Sequence, residues 1–197
     1  MQPLTTNRLL LRPLEETDAP AVLELWSKPL ANCFVPDRLD TLEQAKRYIK
    51  ETDSSYDFAV CLQETGDFIG MLFGQFEEPD TFSPCWNFLP QYFGHGYATE
   101  SVSAYFSYLF DQKRMRRLYA FVEEDNIASQ RVCQEGLFED FISFVNNPDG
   151  SPKYENTYQY AILKKEWQDM QYPSLNERGI ACLIIYKSFL RGVFGGF

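Results

Sequence analysis

Gln91-Tyr92-Phe93-Gly94-His95-Gly96-Tyr97-Ala98-Thr99-Glu100 decides the reading of this chain, because it sets a glycine-punctuated loop between a strand-like run and an amphipathic helix. Upstream, Cys85-Trp86-Asn87-Phe88-Leu89 has β-type composition and stops at Pro90. Downstream, apolar residues recur at helical spacing from Ala98 to Phe110. A strand, a short glycine loop and a helix N-terminus aim unpaired N–H groups and the positive end of a helix dipole at one point, an arrangement that suits a pyrophosphate. Gly94 and Gly96 lack the Cβ that would restrict the backbone and hold phosphate oxygens away. Two glycines before a helix also make an ordinary tight turn. The stretch has neither the three glycines of a dinucleotide fingerprint nor the Gly-Lys-Ser/Thr ending of a Walker loop.

Further along, Arg117-Leu118-Tyr119-Ala120-Phe121-Val122 reads as a strand, followed by Glu123-Glu124-Asp125-Asn126-Ile127-Ala128-Ser129-Gln130-Arg131-Val132. The order strand, Gln-x-x-Gly-x-Gly-Tyr-Ala-x-Glu, helix, strand, Asn-x-x-Ser, helix resembles the GNAT superfamily of acetyl-CoA-dependent N-acetyltransferases. The opening Thr6-Asn7-Arg8-Leu9-Leu10-Leu11-Arg12-Pro13, with the later Asp18, is similar to the ribosomal-protein-alanine branch, the RimJ/RimL-like enzymes. The likeness covers roughly residues 5 to 167. It implies an α/β (α+β) fold: a mixed, mostly antiparallel central sheet with splayed middle strands and flanking helices. It also implies acetyl-CoA as cosubstrate, no metal, and direct acetyl transfer to a primary amine.

The resemblance assigns roles residue by residue. The pantetheine arm of the cofactor would pair like an added strand with Trp86 to Leu89, so that a backbone N–H near Phe88 or Leu89 faces the thioester oxygen. Backbone N–H groups from Phe93, Gly94, His95, Gly96, Tyr97 and Ala98 would hold the pyrophosphate. Asn126 would contact the cofactor arm, and Ser129 would sit near its sulfur to assist departure of the thiolate. The residues themselves also allow a plainer reading, since Asn is a favoured N-cap and Ser is ordinary in a first helical turn. His95, the single histidine, is a phosphate neighbour at most. Glu100 lies in the first helical turn, where a carboxylate complements the dipole. Tyr105, Phe106, Tyr108 and Phe110 have helical spacing and read as core.

The general base is harder to locate. Related enzymes often carry a Glu on the strand before the phosphate loop, whereas Thr81-Phe82-Ser83-Pro84-Cys85-Trp86 has no carboxylate. Glu77, Glu78 and Asp80 lie just before it, and Glu78 is taken as the candidate base. An α-amine is about 10–20% neutral at pH 7, a lysine amine well under about 0.1%. A weak base therefore tilts the acceptor toward a protein N-terminal α-amine or a small-molecule amine.

Composition agrees with one soluble domain. The 197 residues are 45% apolar and 16% aromatic, enough for one core. No charged leader precedes an apolar stretch, and no apolar run approaches the ~18–20 residues of a membrane span. The five cysteines are scattered and form no C-x-x-C pair, which argues against a disulfide framework or zinc site and for a reducing cytoplasm. A net charge of −10 disfavours nucleic acid and suits a cationic acceptor, although acidic surfaces also serve solubility alone. The basic run Lys113-Arg114-Met115-Arg116-Arg117 falls where the helix should end and would complement its dipole.

A strand is expected at Arg8 to Pro13, helices at about Asp18 to Lys28 and Thr41 to Glu51 with Asp18 and Thr41 as N-caps, and hairpins around Glu64-Thr65-Gly66-Asp67 and Asn146-Asn147-Pro148-Asp149-Gly150. Residues 1–170 form the expected domain and 171–197 a C-terminal extension of open structure. Two departures from the family pattern stand out. Glu135-Gly136-Leu137-Phe138 follows Gln134 at once, which shortens the helix carrying Ser129 by over one turn and leaves Gly136 as a left-handed C-cap. The tail also runs on past Trp167 with the apolar run Ile180 to Tyr186, for which a disordered or surface-packed segment comes first, with an extra strand and a homodimer contact also open. A non-catalytic acyl-CoA-binding sensor, and a phosphate-binding domain unrelated to acyl transfer, are the rival readings.

Overall fold

Leu9 and Leu11 are fully buried while Leu10 and Arg12 are half-buried, the period-two alternation that makes this segment a strand. The structure, a computed structural model, describes residues 3–27, 38–123, 126–133, 137–146 and 152–171. Lys28, Gly136, the turn at 147–150 and the tail beyond Gln171 lie outside them. The elements are β1 (Leu4–Thr5), β2 (Leu9–Arg12), α1 (Ala19–Ser27), α2 (Leu42–Glu51), β3 (Phe58–Leu62), β4 (Phe68–Glu77), β5 (Thr81–Phe88), α3 (Tyr97–Asp111), β6 (Arg117–Glu123), α4 (Ile127–Cys133), β7 (Leu137–Asn146), β8 (Pro152–Leu163) and α5 (Lys164–Gln171). One eight-stranded sheet runs in the order β1-β2-β3-β4-β5-β6-β8-β7. Its described pairings are antiparallel except β5 with β6. This is the mixed, mostly antiparallel sheet with flanking helices expected from the sequence. Two compact units are distinguished, Met1–Ala161 and Ile162–Phe197. In the second, Glu166 accepts from the Leu163 N–H at 2.8 Å at the start of α5, and Trp167 is buried.

Helices α1 and α2 cover one face of the sheet. Val22, Leu25 and Trp26 of α1 and Ala45 and Ile49 of α2 join Met71 and Leu89 in one cluster, with Phe73 against it. The rings of Trp26 and Phe73 meet edge-on at 5.4 Å. The opposite face carries α3, whose Tyr105 and Tyr108 pack on Phe58 with ring centroids 5.7 and 5.3 Å away. Both tyrosine hydroxyls donate to backbone carbonyls, Tyr105 to Tyr56 at 2.7 Å and Tyr108 to Ser55 at 2.9 Å. These two residues and Phe110 are core, as their spacing suggested.

Thr41 caps α2 as expected. Its hydroxyl accepts from the Gln44 N–H, and the Gln44 side chain accepts from the Thr41 N–H in return. Asp18 is a correction. Glu15 holds the cap position of a 3-10 turn, Glu16–Asp18, and Asp18 closes that turn from inside by accepting from the Glu15 N–H at 2.8 Å. Its two oxygens also take both terminal nitrogens of Arg12 at 2.7 Å. This fork is geometrically specific and ties the end of β2 to the start of α1. The basic run after α3 is a second correction, since no cation lies in that helix's last turn. Lys113 instead sits over the Tyr56 ring at 4.7 Å, and Arg116 pairs with Asp80 at 3.2 Å.

Asp57, just before β3, is half-buried, and burial pushes its carboxyl up from 3.8 to about 6 even though the Asp53 and Gly74 N–H groups favour the charged form. A folded-state pKa above the unfolded one stabilises the fold below about pH 4 and loses that contribution as pH rises through about 6. Thermal unfolding followed between pH 4 and 7 should therefore show a decline of about 1–2 kcal/mol, discounted for partial solvent screening, that Asp57→Asn removes. An identical decline in the variant would contradict this assignment.

Candidate active site

Strand β5 is paired with β4 along its whole length, from Gly70 with Phe88 to Glu77 with Thr81. Its pairing with β6 covers only Thr81 with Arg117 and Phe82 with Leu118. Beyond Phe82 the two strands part, and Ser83 to Phe88 borders a gap about 17 Å long at the rise of an extended chain. The direction of the backbone groups along that edge follows from one hydrogen bond. The Leu89 N–H donates to the Ile69 carbonyl at 2.9 Å. In an antiparallel ladder the bonded direction alternates residue by residue, so Asn87 and Cys85 also face β4, while Trp86 and Phe88 turn their N–H and C=O groups toward the gap. Of the two expected thioester contacts, Phe88 keeps that geometry. Leu89 is withdrawn, because its N–H already belongs to Ile69.

Pro90 stops the strand and starts a 3-10 turn, Pro90–Tyr92, in which the Phe93 N–H donates to the Pro90 carbonyl at 3.1 Å. Phe93 is therefore also withdrawn from the set of anion donors. Gly94 and Gly96 have φ of +80° and +76°, a region open to glycine at little cost. Gly96 is the N-cap of α3 and has no side chain to close the helix, whose first backbone bond runs from the Glu100 N–H to the Gly96 carbonyl at 3.1 Å. The N–H groups of Tyr97, Ala98 and Thr99 thus stand at the helix end without an intrahelical partner. Together with the glycine turns they line up backbone donors in the way that suits an anion.

Arg8 holds this loop from outside, a role that the sequence reading did not assign. Its guanidinium donates to the His95 carbonyl at 3.0 Å and lies 4.6 Å from the centre of the Tyr97 ring, on which the His95 ring also stacks. A trans peptide points its C=O and N–H in opposite directions. By drawing the His95 carbonyl outward, Arg8 turns the Gly96 N–H the other way and keeps a carbonyl oxygen from facing an anion. Glu100 fixes Arg8 in turn, accepting from its backbone N–H at 3.0 Å and its Nε at 2.7 Å, and from the Thr6 hydroxyl at 2.6 Å. Burial opposes ionisation of Glu100, but these bonds to Thr6 and Arg8 outweigh it and hold the carboxyl below its usual range. Glu100 is thus both the acidic residue of the first turn of α3, as expected, and the ion-pair partner of Arg8. The signal was present in Thr6-Asn7-Arg8, but spacing alone does not show that β2 starts beside α3.

Asn126 and Ser129 lie where β6 passes into α4. The Asn126 side-chain oxygen accepts from the Ser129 N–H at 3.1 Å, which makes Asn126 the N-cap. Helix α4 has 7 residues, as short as the sequence implied. It is anchored by Cys133, which packs with Ala120 and Val122 of β6, Trp86 of β5 and Tyr160. Trp86 therefore closes one face of the gap against α4. Burial pushes the Cys85 thiol up to about 11 and the Cys133 thiol up to about 12, so neither is a ready nucleophile at neutral pH. Among the acidic residues before β5, Glu78 is exposed in the turn and Asp80 is held by Arg116. Glu77 is half-buried and accepts a hydrogen bond from the Tyr119 hydroxyl. Among the described residues no His, Cys, Asp and Glu group could hold a metal ion, and no helix is long and apolar enough to cross a membrane.

The parted strands, the glycine loop and the uncapped helix agree with what comparison with known proteins gives. The sequence profile of the Acetyltransferase (GNAT) domain matches residues 8–136. The uncharacterized N-acetyltransferase YnaD of Bacillus subtilis (strain 168) is 32% identical over 173 residues, 83% of this chain and 98% of its own length. A GNAT-family acetyltransferase structure from Bacillus anthracis superposes with a TM-score of 0.70 at 25% identity, covering 83% of this chain and 99% of that one. The fold is shared with RimL, the ribosomal L7/L12 α-N-protein acetyltransferase solved with coenzyme A, at a TM-score of 0.65 and 18% identity over 82% of this chain and 98% of that one. The chain belongs to the GNAT acetyltransferase family and is an acetyl-CoA-dependent acetyltransferase.

Arg8→Ala should weaken acetyl-CoA binding roughly tenfold, the loss of one charge-assisted bond that orients the loop. Calorimetry with acetyl-CoA and with S-acetylpantetheine separates the effect, because the shorter compound has no pyrophosphate and its affinity should not change. Equal loss for both would contradict the role given to Arg8.

Proposed function

We propose that this enzyme transfers the acetyl group of acetyl-CoA directly to a primary amine, either the α-amine of a protein N-terminus or a small-molecule amine, as in the RimJ/RimL-like branch. The observation that carries this reading is the parting of β5 from β6 beside a loop of backbone donors. That combination suits an extended thioester arm ending in a pyrophosphate. In this reading Phe88 offers its N–H to the thioester oxygen, and Gly94, His95, Gly96, Tyr97 and Ala98 hold the pyrophosphate. Asn126 caps α4 with its oxygen and has its amide NH2 for the cofactor arm, while Ser129 assists the departing sulfur. The buried, protonated thiols support direct transfer over an acyl-cysteine route.

The branch assignment is supported by Arg12 and Asp18. Both belong to the opening pattern that resembles those enzymes, and their two-bond pair ties β2 to α1. Neighbours of the same fold include RimL, which acts on a protein, and the spermidine N-acetyltransferase SpeG of Vibrio cholerae, 16% identical with a TM-score of 0.66. A net charge of −10 suits either cationic acceptor. A cytoplasmic location and a domain spanning residues 1–170 belong to the same reading.

Thiol release from acetyl-CoA, measured against amino acids, polyamines, aminoglycosides and peptides with unblocked α-amines, should show turnover with one of these classes. Ser129→Ala should lower kcat about 100-fold, the lower end of what a positioned proton donor supplies, and leave the acetyl-CoA Kd unchanged. A variant with full turnover would remove Ser129 from the mechanism, and turnover only with alcohols would overturn the amine acceptor.

A further inference from the structure

The Trp86 side chain crosses the gap, and none of the roles above uses it. Phe82 and Leu118 are the last paired residues of β5 and β6, so Trp86 and Val122, each four residues further on, stand at the same level on the parted strands. Side chains alternate along a strand, which puts Trp86, Ala120 and Val122 on the face of the sheet that carries Phe82 and Leu118. The Trp86 ring packs against Ala120, Val122 and Cys133. A side chain rooted on β5 thus reaches the strand and the helix on the far side of the opening. On the other face, the smaller side chains of Ser83, Cys85 and Asn87 are half-buried. An aromatic ring therefore covers one side of the gap just below Phe88, and the paired ladder at Phe82 closes its end.

We propose that the Trp86 indole sets the length of the acyl group that this enzyme accepts, admitting acetyl and excluding chains of four carbons or more. This rests on the placement of the thioester oxygen at the Phe88 N–H given above. The arm arrives from the glycine loop, so its sulfur lies on the Leu89 side of the thioester. The carbonyl carbon is trigonal. With its oxygen on Phe88 and its sulfur toward the loop, its third bond points down the gap toward Trp86. Two residues of extended strand place Trp86 about 7 Å below Phe88. Carbon atoms in contact stand about 3.5–4 Å apart, which leaves roughly 3 Å of that descent open. An acetyl methyl ends about 1.5 Å from the carbonyl carbon and fits, whereas an extended butyryl chain reaches about 4 Å and meets the tryptophan.

The longer chain has no other course. An oxygen held by a ladder hydrogen bond keeps the thioester plane near that of the sheet, so a nucleophile reaches the carbonyl carbon from one face of the sheet. Trp86 covers the face toward α4, and the amine has the Cys85 and Asn87 face. A chain turned to that side would stand in the path of the amine. Cys133 at the end of α4 backs the ring, and Tyr160 packs on the same cluster, so the indole is held from behind.

Calorimetry of the full-length enzyme with coenzyme A, acetyl-CoA, propionyl-CoA and butyryl-CoA tests this, together with kcat/KM for the three thioesters and the preferred amine. One methylene too many in an apolar pocket is worth about 10–200-fold in discrimination. The wild type should therefore favour acetyl over butyryl by about 100-fold in kcat/KM, Trp86→Ala should narrow that ratio about tenfold or more, and Trp86→Leu should narrow it less. Coenzyme A has no acyl group and is the reference for each Kd, so a general loss of fold or of arm binding cancels from the comparison. A chain-length preference that is the same in the wild type and both variants would overturn the gate, as would a wild type that uses butyryl-CoA as readily as acetyl-CoA. Protection of the Phe88 amide from hydrogen exchange by acetyl-CoA checks the thioester placement separately. With that protection present and the preference unmoved, the gate alone falls; without it, the placement and the gate fall together.

Discussion

Everything in this site depends on β5 and β6 ceasing to pair after Phe82 and Leu118. Two parallel strands side by side would ordinarily continue their ladder, and doing so here would bury the N–H and C=O groups of Trp86 and Phe88 in a closed sheet. The parting is sustained because each strand has another neighbour. β5 is bonded to β4 through Phe88, and β6 lies beside β8 in the strand order. Trp86 and Cys133 fill one face of the opening with apolar contact, so the strands are held apart by packing as well as by the lack of bonds. Polar backbone left without partners in such a place is costly, and an extended ligand arm that pairs with it recovers that cost.

The loop above the gap obeys a related constraint. Backbone donors bind an anion only if the intervening carbonyls point elsewhere, and a glycine turn alone does not ensure this. Arg8 draws one carbonyl outward, Glu100 neutralises and orients Arg8, and Thr6 steadies Glu100. Arg8 is therefore engaged in shaping the backbone of the loop. In the proposed reading, anion affinity rests on oriented N–H groups and the α3 terminus.

Much of this was legible in the sequence where the chemistry is local. Pro90 ending β5, Thr41 and Gln44 closing α2, and Gly94 and Gly96 preceding α3 are each decided within a few residues, and the elements formed where expected. The short α4 was also legible, because Leu137 resumes a strand soon after Ser129. What could not be read locally was which hydrogen-bonding groups were already taken. Leu89 and Phe93 looked like donors to a ligand, but the β4–β5 register carried one residue past Phe88 sets Leu89 opposite Ile69, and Pro90 captures Phe93. Asp18 was read as a cap because its partner Arg12 is visible only once β2 and α1 are adjacent. Glu77 and Tyr119 are separated by an entire helix in sequence and meet only across β5.

The central claim is that the gap between β5 and β6 receives the acetyl donor as an added strand below the glycine loop. Residue-resolved amide hydrogen exchange, with and without acetyl-CoA, tests it most directly. The account predicts new protection at Trp86, Phe88, Gly96, Tyr97 and Ala98, with Leu89 and Phe93 nearly unchanged because their N–H groups are already bonded. Saturating acetyl-CoA that leaves Trp86 and Phe88 exchanging as before would contradict it.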